Sequence, residues 1–376
     1  MSFDLPPATT GRASVDTKTA KTSWFRIVRL AIPALCVLAA LHSAAEFGAI
    51  EPRDLGPAPR EADGRFTNWK GGLSHGSFGV RFPFLMRRLG TLFRDGNAAP
   101  RRLDNDGAYL RENAKHSDAT VTWIGHSTLL VQMDHLTFLT DPIWSDTPSP
   151  IPFLGPSRFV DPGVAMEDLP PIDFVVVSHN HYDHLDLPTL VALAERSEGT
   201  RFFVPLGNAE LLHGRGIENV TELDWGDSVL LGDVEIHALP SQHWSKRGVG
   251  DDRKMLWASW AVMGSQRTFF FSGDTGYFDG FERIGEAFGS FDLAAVPIGA
   301  YEPEKMMRES HLNPEEAVRV AVDLRAKRAI AMHFGTFDLS DEPLDEPPRR
   351  FREAADESSL ESGAAWVLDI GETRRF

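Results

Sequence analysis

The sequence predicts a layered α/β fold, and three observations carry that prediction. Short apolar runs recur along the chain, each closing on a cluster of polar residues. Helical patterns fall between those runs. A hydrophobic share of 42%, with 25 Phe, 9 Trp and 4 Tyr, supplies enough apolar surface for a large core and excludes global disorder. Strands buried on both faces and joined through helices stack into a sandwich of layers.

From the N-terminus, residues 1–23 read as a polar, basic tail and residues 24–45 as a signal peptide or membrane anchor. Basic residues from Lys18 to Arg29 precede an apolar run from Leu30 to Leu41, then the small residues Ser43, Ala44 and Ala45. That order matches an export signal. The run is short for a span of about 20 residues, although Ile27 and Val28 lengthen it to a marginal anchor. A buried helix of the main domain is the alternative. In either export reading the positive flank stays in the cytosol, which predicts a membrane-associated body on the extracytoplasmic, periplasmic side. The single cysteine, Cys36, lies inside the run, so no disulfide framework or Cys-rich metal site exists.

Residues 46–64 include the Pro- and charge-rich stretch from Glu51 to Gly64 and read as a solvated linker. Residues 65–376 then form one domain. A basic, Phe-rich stretch from Arg81 to Arg94 leads into the strands. Val121–Ile124 runs into Gly125, His126 and Ser127, and Leu129–Met133 and Leu136–Thr140 lead to Asp141. Phe174–Val177 leads to the segment 178–184, Val234–Leu239 to His243, Thr268–Phe271 to Asp274, and Ala329–Met332 to His333. A helix is expected over Leu187–Arg196. A second is expected after Asn313, where Pro314 suits the first turn and Glu316 completes a capping box.

Charge narrows the function. The chain carries −16, which argues against a nucleic-acid partner. Residues 1–45 hold five basic and two acidic groups, or +3, so the remainder carries −19.

Residues 179–184 hold three His and one Asp, a density that composition alone does not give. Alternate residues of an extended segment point the same way, so His179 and His181 can chelate one cation while the following turn aims Asp183 and His184 at a second. The other ligands must come from distant strand ends, and His243, Asp274 and His333 each follow one. With Asp274 bridging, one metal takes His179, His181, His243 and Asp274, and the other Asp183, His184, Asp274 and His333. Imidazole with carboxylate suits two Zn²⁺ per chain; iron or manganese occupies similar sites. His126 is then expected to support the site rather than ligate.

HxHxDH, a later His, Gly-Asp at a strand end and a final His together resemble the metallo-β-lactamase superfamily. The segments 178–186, 203–207, Pro240 to Trp244, 271–277 and Ile298 to Pro303 resemble, within it, the N-acylphosphatidylethanolamine-hydrolysing phospholipase D family. The likeness covers about residues 65–350. It implies a four-layer αββα sandwich with metals at one sheet edge, and a zinc-dependent phosphodiesterase. The implied reaction is attack of a dizinc-bound hydroxide on phosphorus, releasing N-acylethanolamine and phosphatidic acid.

Asp183 could orient or accept the water proton, though a metal-bound carboxylate is a weak base. His311, just before the capped helix, could bind phosphoryl oxygens or protonate the leaving alkoxide; a structural hydrogen bond is the alternative. In the family the matching His and the Tyr matching Tyr182 contact the headgroup, while loop packing would also explain Tyr182. A phospholipid substrate implies contact with a membrane surface, for which Phe82 to Arg88 and Ile151 to Pro156 are candidates. A homodimer is compatible with the sequence. Two other readings stand beside this one. The same metals could serve a soluble lactone or cyclic phosphodiester, and a tethered, non-catalytic scaffold would predict missing ligands, of which there are none.

Overall fold

A computed structural model of the chain describes residues 55–74, 77–90, 98–151 and 155–376. The predicted signal or anchor at 24–45 lies outside the described residues, as do the tail before it and residues 152–154 of the second candidate membrane segment. Contacts divide the chain into Met1–Gly48 and Ala49–Phe376, and everything below concerns the second unit. Among the described residues no helix is long and apolar enough to cross a membrane.

The helices are α1 (Phe78–Gly90), α2 (Ala108–His116), α3 (Leu187–Arg196), α4 (Ala209–His213), α5 (Gly280–Phe288), α6 (Glu304–Met307), α7 (Pro314–Asp323) and α8 (Glu346–Asp356). The first sheet contains β1 (Thr120–Gly125), β2 (Thr128–Met133), β3 (Leu136–Thr140), β4 (Phe174–Val176), β5 (Arg201–Pro205) and β6 (Val220–Leu223). The second contains β7 (Ser228–Leu231), β8 (Val234–Leu239), β9 (Ser259–Met263), β10 (Thr268–Phe271), β11 (Leu293–Pro297), β12 (Ala329–Met332) and β13 (Ala365–Trp366). A last strand, β14 (Thr373–Arg375), returns to the first sheet and pairs antiparallel with β1, Thr120 opposite Arg375. The orders are β14-β1-β2-β3-β4-β5-β6 and β13-β12-β11-β10-β9-β8-β7.

Strand alternation makes the layers. In β2, Leu129, Val131 and Met133 point into the core between the sheets, while Leu130 joins an outer core beneath α2 and α3 with Leu110, Leu190 and Leu193. The inner core is aromatic: Phe138 stacks on Phe174 at 4.5 Å between centroids and meets Phe269 of the second sheet edge-on at 5.6 Å. On the far side α5 and α7 bury Phe281, Ile284, Val318 and Ala321 against β10 to β12. Helix α7 starts as the sequence requires, with Glu316 N donating to the Asn313 side chain at 2.8 Å and Asn313 N donating back to Glu316 at 3.3 Å.

One expectation fails. The stretch read as a linker is not solvated through to residue 64. Leu55 and Ala58 are buried in the inner core, and Ala58 N donates to Asp224 at 3.0 Å. The physical reason is that a few apolar side chains suffice to seat a Pro-rich strap, and composition over 46–64 averages them away. The basic, Phe-rich stretch likewise contains a helix, α1, that its composition did not signal.

Candidate metal centre

The strand ends converge. β1 delivers His126, β3 Asp141, β4 the segment 178–184, β8 His243, β10 Asp274 and β12 His333. Their backbones turn sharply there: His126, Asp141 and His333 adopt φ of 52°, 35° and 58°. Such left-handed, non-glycine residues persist only where the surroundings fix them. Gly273 precedes Asp274 at φ 58°, and a Cβ there would meet Ser178 Cβ at 2.4 Å, so only glycine lets the Asp274 loop approach.

All seven residues proposed from sequence as ligands come together. Ligating atoms of His179, His181 and His243 lie within 4.8 Å of one another, as do those of Asp183, His184 and His333, joined by His126. Asp274 links the halves. Its Oδ2 lies 3.2 Å from His184 Nε2 and 3.1 Å from His333 Nε2, and it groups with His243 and His311.

Each imidazole is aimed from behind. Asp141, fully buried, places Oδ2 2.7 Å from His184 Nδ1 and accepts from Ser178 N at 2.6 Å. The Ser310 carbonyl accepts from His243 Nδ1 at 2.9 Å, leaving Nε2 directed at His181. Asn68 brackets the backbone of His243, its amide donating to the carbonyl at 3.0 Å and its oxygen accepting from the N–H at 3.1 Å. His126 Nε2 lies 3.1 Å from Asp183 Oδ2, the supporting position expected of it, although its place among the ligating atoms leaves it close enough to bind.

Arg247 clamps the segment 179–184. Its Nη1 donates to the carbonyls of Asn180 at 2.9 Å and Leu185 at 2.8 Å, its guanidinium lies 4.0 Å above the Tyr182 ring, and the Tyr182 hydroxyl donates to its carbonyl at 2.9 Å. Tyr182 is thus held through both ring and hydroxyl. His311 stands on the opposite wall, Nδ1 3.7 Å from Asp274 Oδ2, and lines a cavity of about 210 Å³ with Tyr301, Arg308 and Asn313.

Charge distinguishes the two halves. Burial pushes His181 down to about 4 and His179 and His243 well below the usual imidazole range. His126 falls to about 3 by burial and the neighbouring His333, and burial takes His311 to about 4. Burial opposes the cations of His184 and His333 as well, yet Asp274 and Asp183 overcome it, raising His333 to about 9 and His184 well above normal. Burial opposes the Asp183 and Asp274 carboxylates, but His184 together with His333, and for Asp183 also His126, outweighs it and holds both well below the carboxylate range.

These residues fit metal. His179 Nε2 and His181 Nδ1 are 2.8 Å apart, with His243 Nε2 3.3 Å from the same His181 nitrogen. One proton between three nitrogens satisfies a single pair, whereas one cation accepts three lone pairs. His184 Nε2, both nitrogens of His333 and Asp274 Oδ1 are buried with no hydrogen bond.

The fold and this cluster define a metal-dependent hydrolase of metallo-β-lactamase architecture. The model of the Beta-lactamase superfamily domain matches residues 137–334. The chain is 42% identical over 271 residues, 68% of its own length and 76% of the relative's, to N-acyl-phosphatidylethanolamine-hydrolyzing phospholipase D 1 of Caenorhabditis elegans. It is 28% identical over 257 residues to a UPF0173 metal-dependent hydrolase of Methanopyrus kandleri, covering 67% of this chain and 98% of that one. Among solved structures it resembles Igni18, a metallo hydrolase of Ignicoccus hospitalis, with TM-score 0.52 and 22% identity over 69% of this chain and 98% of that one. The chain belongs to the beta-lactamase superfamily, in the family of that nematode relative.

Sequence reasoning passed over Asp141, Asn68 and Arg247. A carboxylate closing β3 before Pro142 was the one available signal for Asp141. The other two act on backbone groups, which leave no mark in sequence.

Proposed function

We propose that the protein is a zinc-dependent phosphodiesterase of phospholipase D type that hydrolyses N-acylphosphatidylethanolamine to N-acylethanolamine and phosphatidic acid. The observation that carries this reading is the cluster of five imidazoles and two carboxylates, five of them buried and two half-buried, in a chain 42% identical to a relative named for that reaction.

His179, His181, His243 and Asp274 would hold one Zn²⁺, and Asp183, His184, His333 and Asp274 the other. Bound there, the ions would make water nucleophilic near neutral pH and neutralise charge on the phosphoryl oxygens. The protein does the rest by position. The buried carboxylates offset the dications, and Asp141, Ser310 and Asn68 fix the imidazoles so that little reorganisation is needed during reaction. Asp183 would orient the water. Water oxygen joins phosphorus, the bond from phosphorus to the ethanolamine oxygen breaks, and that oxygen takes a proton. His311, 3.7 Å across from Asp274, would bind a phosphoryl oxygen or give that proton. The Tyr182 hydroxyl is engaged by Arg247, so headgroup contact falls to its ring. A lipid substrate makes a membrane surface the partner, with residues 24–45 as the export signal or anchor that puts the body on the extracytoplasmic side.

The test offers the purified chain N-acylphosphatidylethanolamine in mixed micelles beside a lactone and a cyclic phosphodiester, with bound metal counted. Release of N-acylethanolamine, lost in Asp274→Ala, is the expected result. Full metal content with cleavage of the soluble compounds alone would overturn it in favour of a soluble-substrate hydrolase.

A further inference from the structure

Helix α1 sets its apolar residues outward. Phe78, Phe82, Leu85 and Met86 are 78%, 48%, 56% and 51% exposed. They fall at i, i+4, i+7 and i+8, one stripe of a helix. Phe78 and Phe82 stack at 5.4 Å, which makes a continuous aromatic surface rather than scattered side chains. The opposite side holds the helix to the body: Val80 and Phe84 are half-buried, and Arg87 Nε donates to Asp341 at 2.9 Å. α1 is therefore oriented, with its apolar stripe away from the core it is attached to.

Its charge is also the reverse of its surroundings. The helix FGVRFPFLMRRLG contains three arginines and no acid, in a body that carries −19 beyond residue 45. Arg81 is exposed beside the stripe. Apolar side chains flanked by a cation suit an anionic lipid interface, where the ring and alkyl groups enter the acyl boundary and the Arg81 guanidinium meets phosphate, Arg87 being held by Asp341 on the far side.

The placement is at the edge that bears the cluster. α1 packs on α6, which leads to His311, and Arg87 reaches Asp341 beyond His333. Just before α1, Ser74 N donates to Glu309 at 2.5 Å, two residues from His311.

We propose that α1 is an interfacial helix that docks the body on an anionic bilayer with the metal cleft facing the lipid. The proposal rests on the lipid reading of the site for its purpose, but its readout is insertion rather than turnover.

The experiment uses the full chain with Cys36→Ser, so that a single introduced cysteine carries an environment-sensitive nitrobenzoxadiazole label. Leu85→Cys reports on α1. Asp233→Cys, in the turn before β8 and so at the end of that strand away from His243, is the control. Vesicles of phosphatidylcholine with and without phosphatidylglycerol are added. The expected result is a blue shift and a severalfold rise in emission at position 85 with anionic vesicles, no change at position 233, and vesicle affinity about fivefold lower in Arg81→Gln. No response at position 85 overturns the proposal. So does a label already shifted without vesicles, which would mean that the N-terminal segment or, if concentration-dependent, a second copy covers the stripe. Insertion without lipid hydrolysis leaves docking standing and removes the substrate reading; hydrolysis without insertion does the opposite.

Discussion

The two halves of the cluster are equally dry and carry opposite electrostatics. His179, His181 and His243 face one another and are kept neutral by burial, so their lone pairs are ready for a cation. His184 and His333 are just as buried, yet Asp183 and Asp274 raise their affinity for a proton, so there a cation competes with protons. Burial alone does not set the character of a site; the carboxylate does.

Breaking the link between the halves should do the most damage. Asp274→Ala removes a carboxylate that faces His243 on one side and His184 and His333 on the other, and hydrolysis should fall by more than the about hundredfold that loss of a supporting residue brings. Mass spectrometry of bound metal should show occupancy lost from both halves, and a variant retaining full metal would contradict the bridging role. Asp141→Asn acts chiefly on one half, because Asp141 holds His184 directly at 2.7 Å and reaches His179 only through the Ser178 hydroxyl. Metal affinity should drop about 10–100-fold for one equivalent only, seen as a single early step in a chelator titration.

Removing metal from the whole protein should lower its thermal stability. Saturation at a thousand times Kd adds about 4 kcal/mol, and scanning calorimetry before and after dipicolinate treatment reads the difference. An unchanged melting temperature would mean that the cluster does not bind metal in the folded state. Arg247→Ala leaves every ligand in place but frees the loop that carries them, at a cost of about 1–3 kcal/mol in urea unfolding. Lysine should not restore it, since one ammonium cannot both span two carbonyls and lie flat on Tyr182. The smallest effect is expected of His126→Gln, where an amide can still donate to Asp183: hydrolysis about tenfold lower, with metal content kept.

Much of this was readable in the chain because the signals are local. Four ligand-type residues in six positions mark 179–184, and Asn313, Pro314 and Glu316 fix the start of α7. The runs Leu129–Met133 and Leu136–Thr140 end where β2 and β3 end. What escaped depends on distance or on backbone. β11 is Leu-Ala-Ala-Val-Pro, too poor in branched residues to read as a strand, and is strand only because β10 and β12 flank it. Asn68 bonds to main-chain groups of His243, far along the sequence, and Arg247 to carbonyls that every residue possesses. α1 hid because its apolar stripe faces outward and Pro83 interrupts it, two features that argue against an ordinary core helix.

The pairing of β14 with β1 has a consequence in time. Thr120 cannot meet Arg375 until the intervening chain has left the ribosome, which at about 5–20 residues per second takes roughly tens of seconds. During that interval β1 lacks its outer neighbour along Thr120, Val121 and Thr122. The sheet that carries the pocket is thus completed only after β14 has emerged, well after the residues of the cluster themselves. Nascent chains stalled before Thr373 should be digested by protease where the released protein resists.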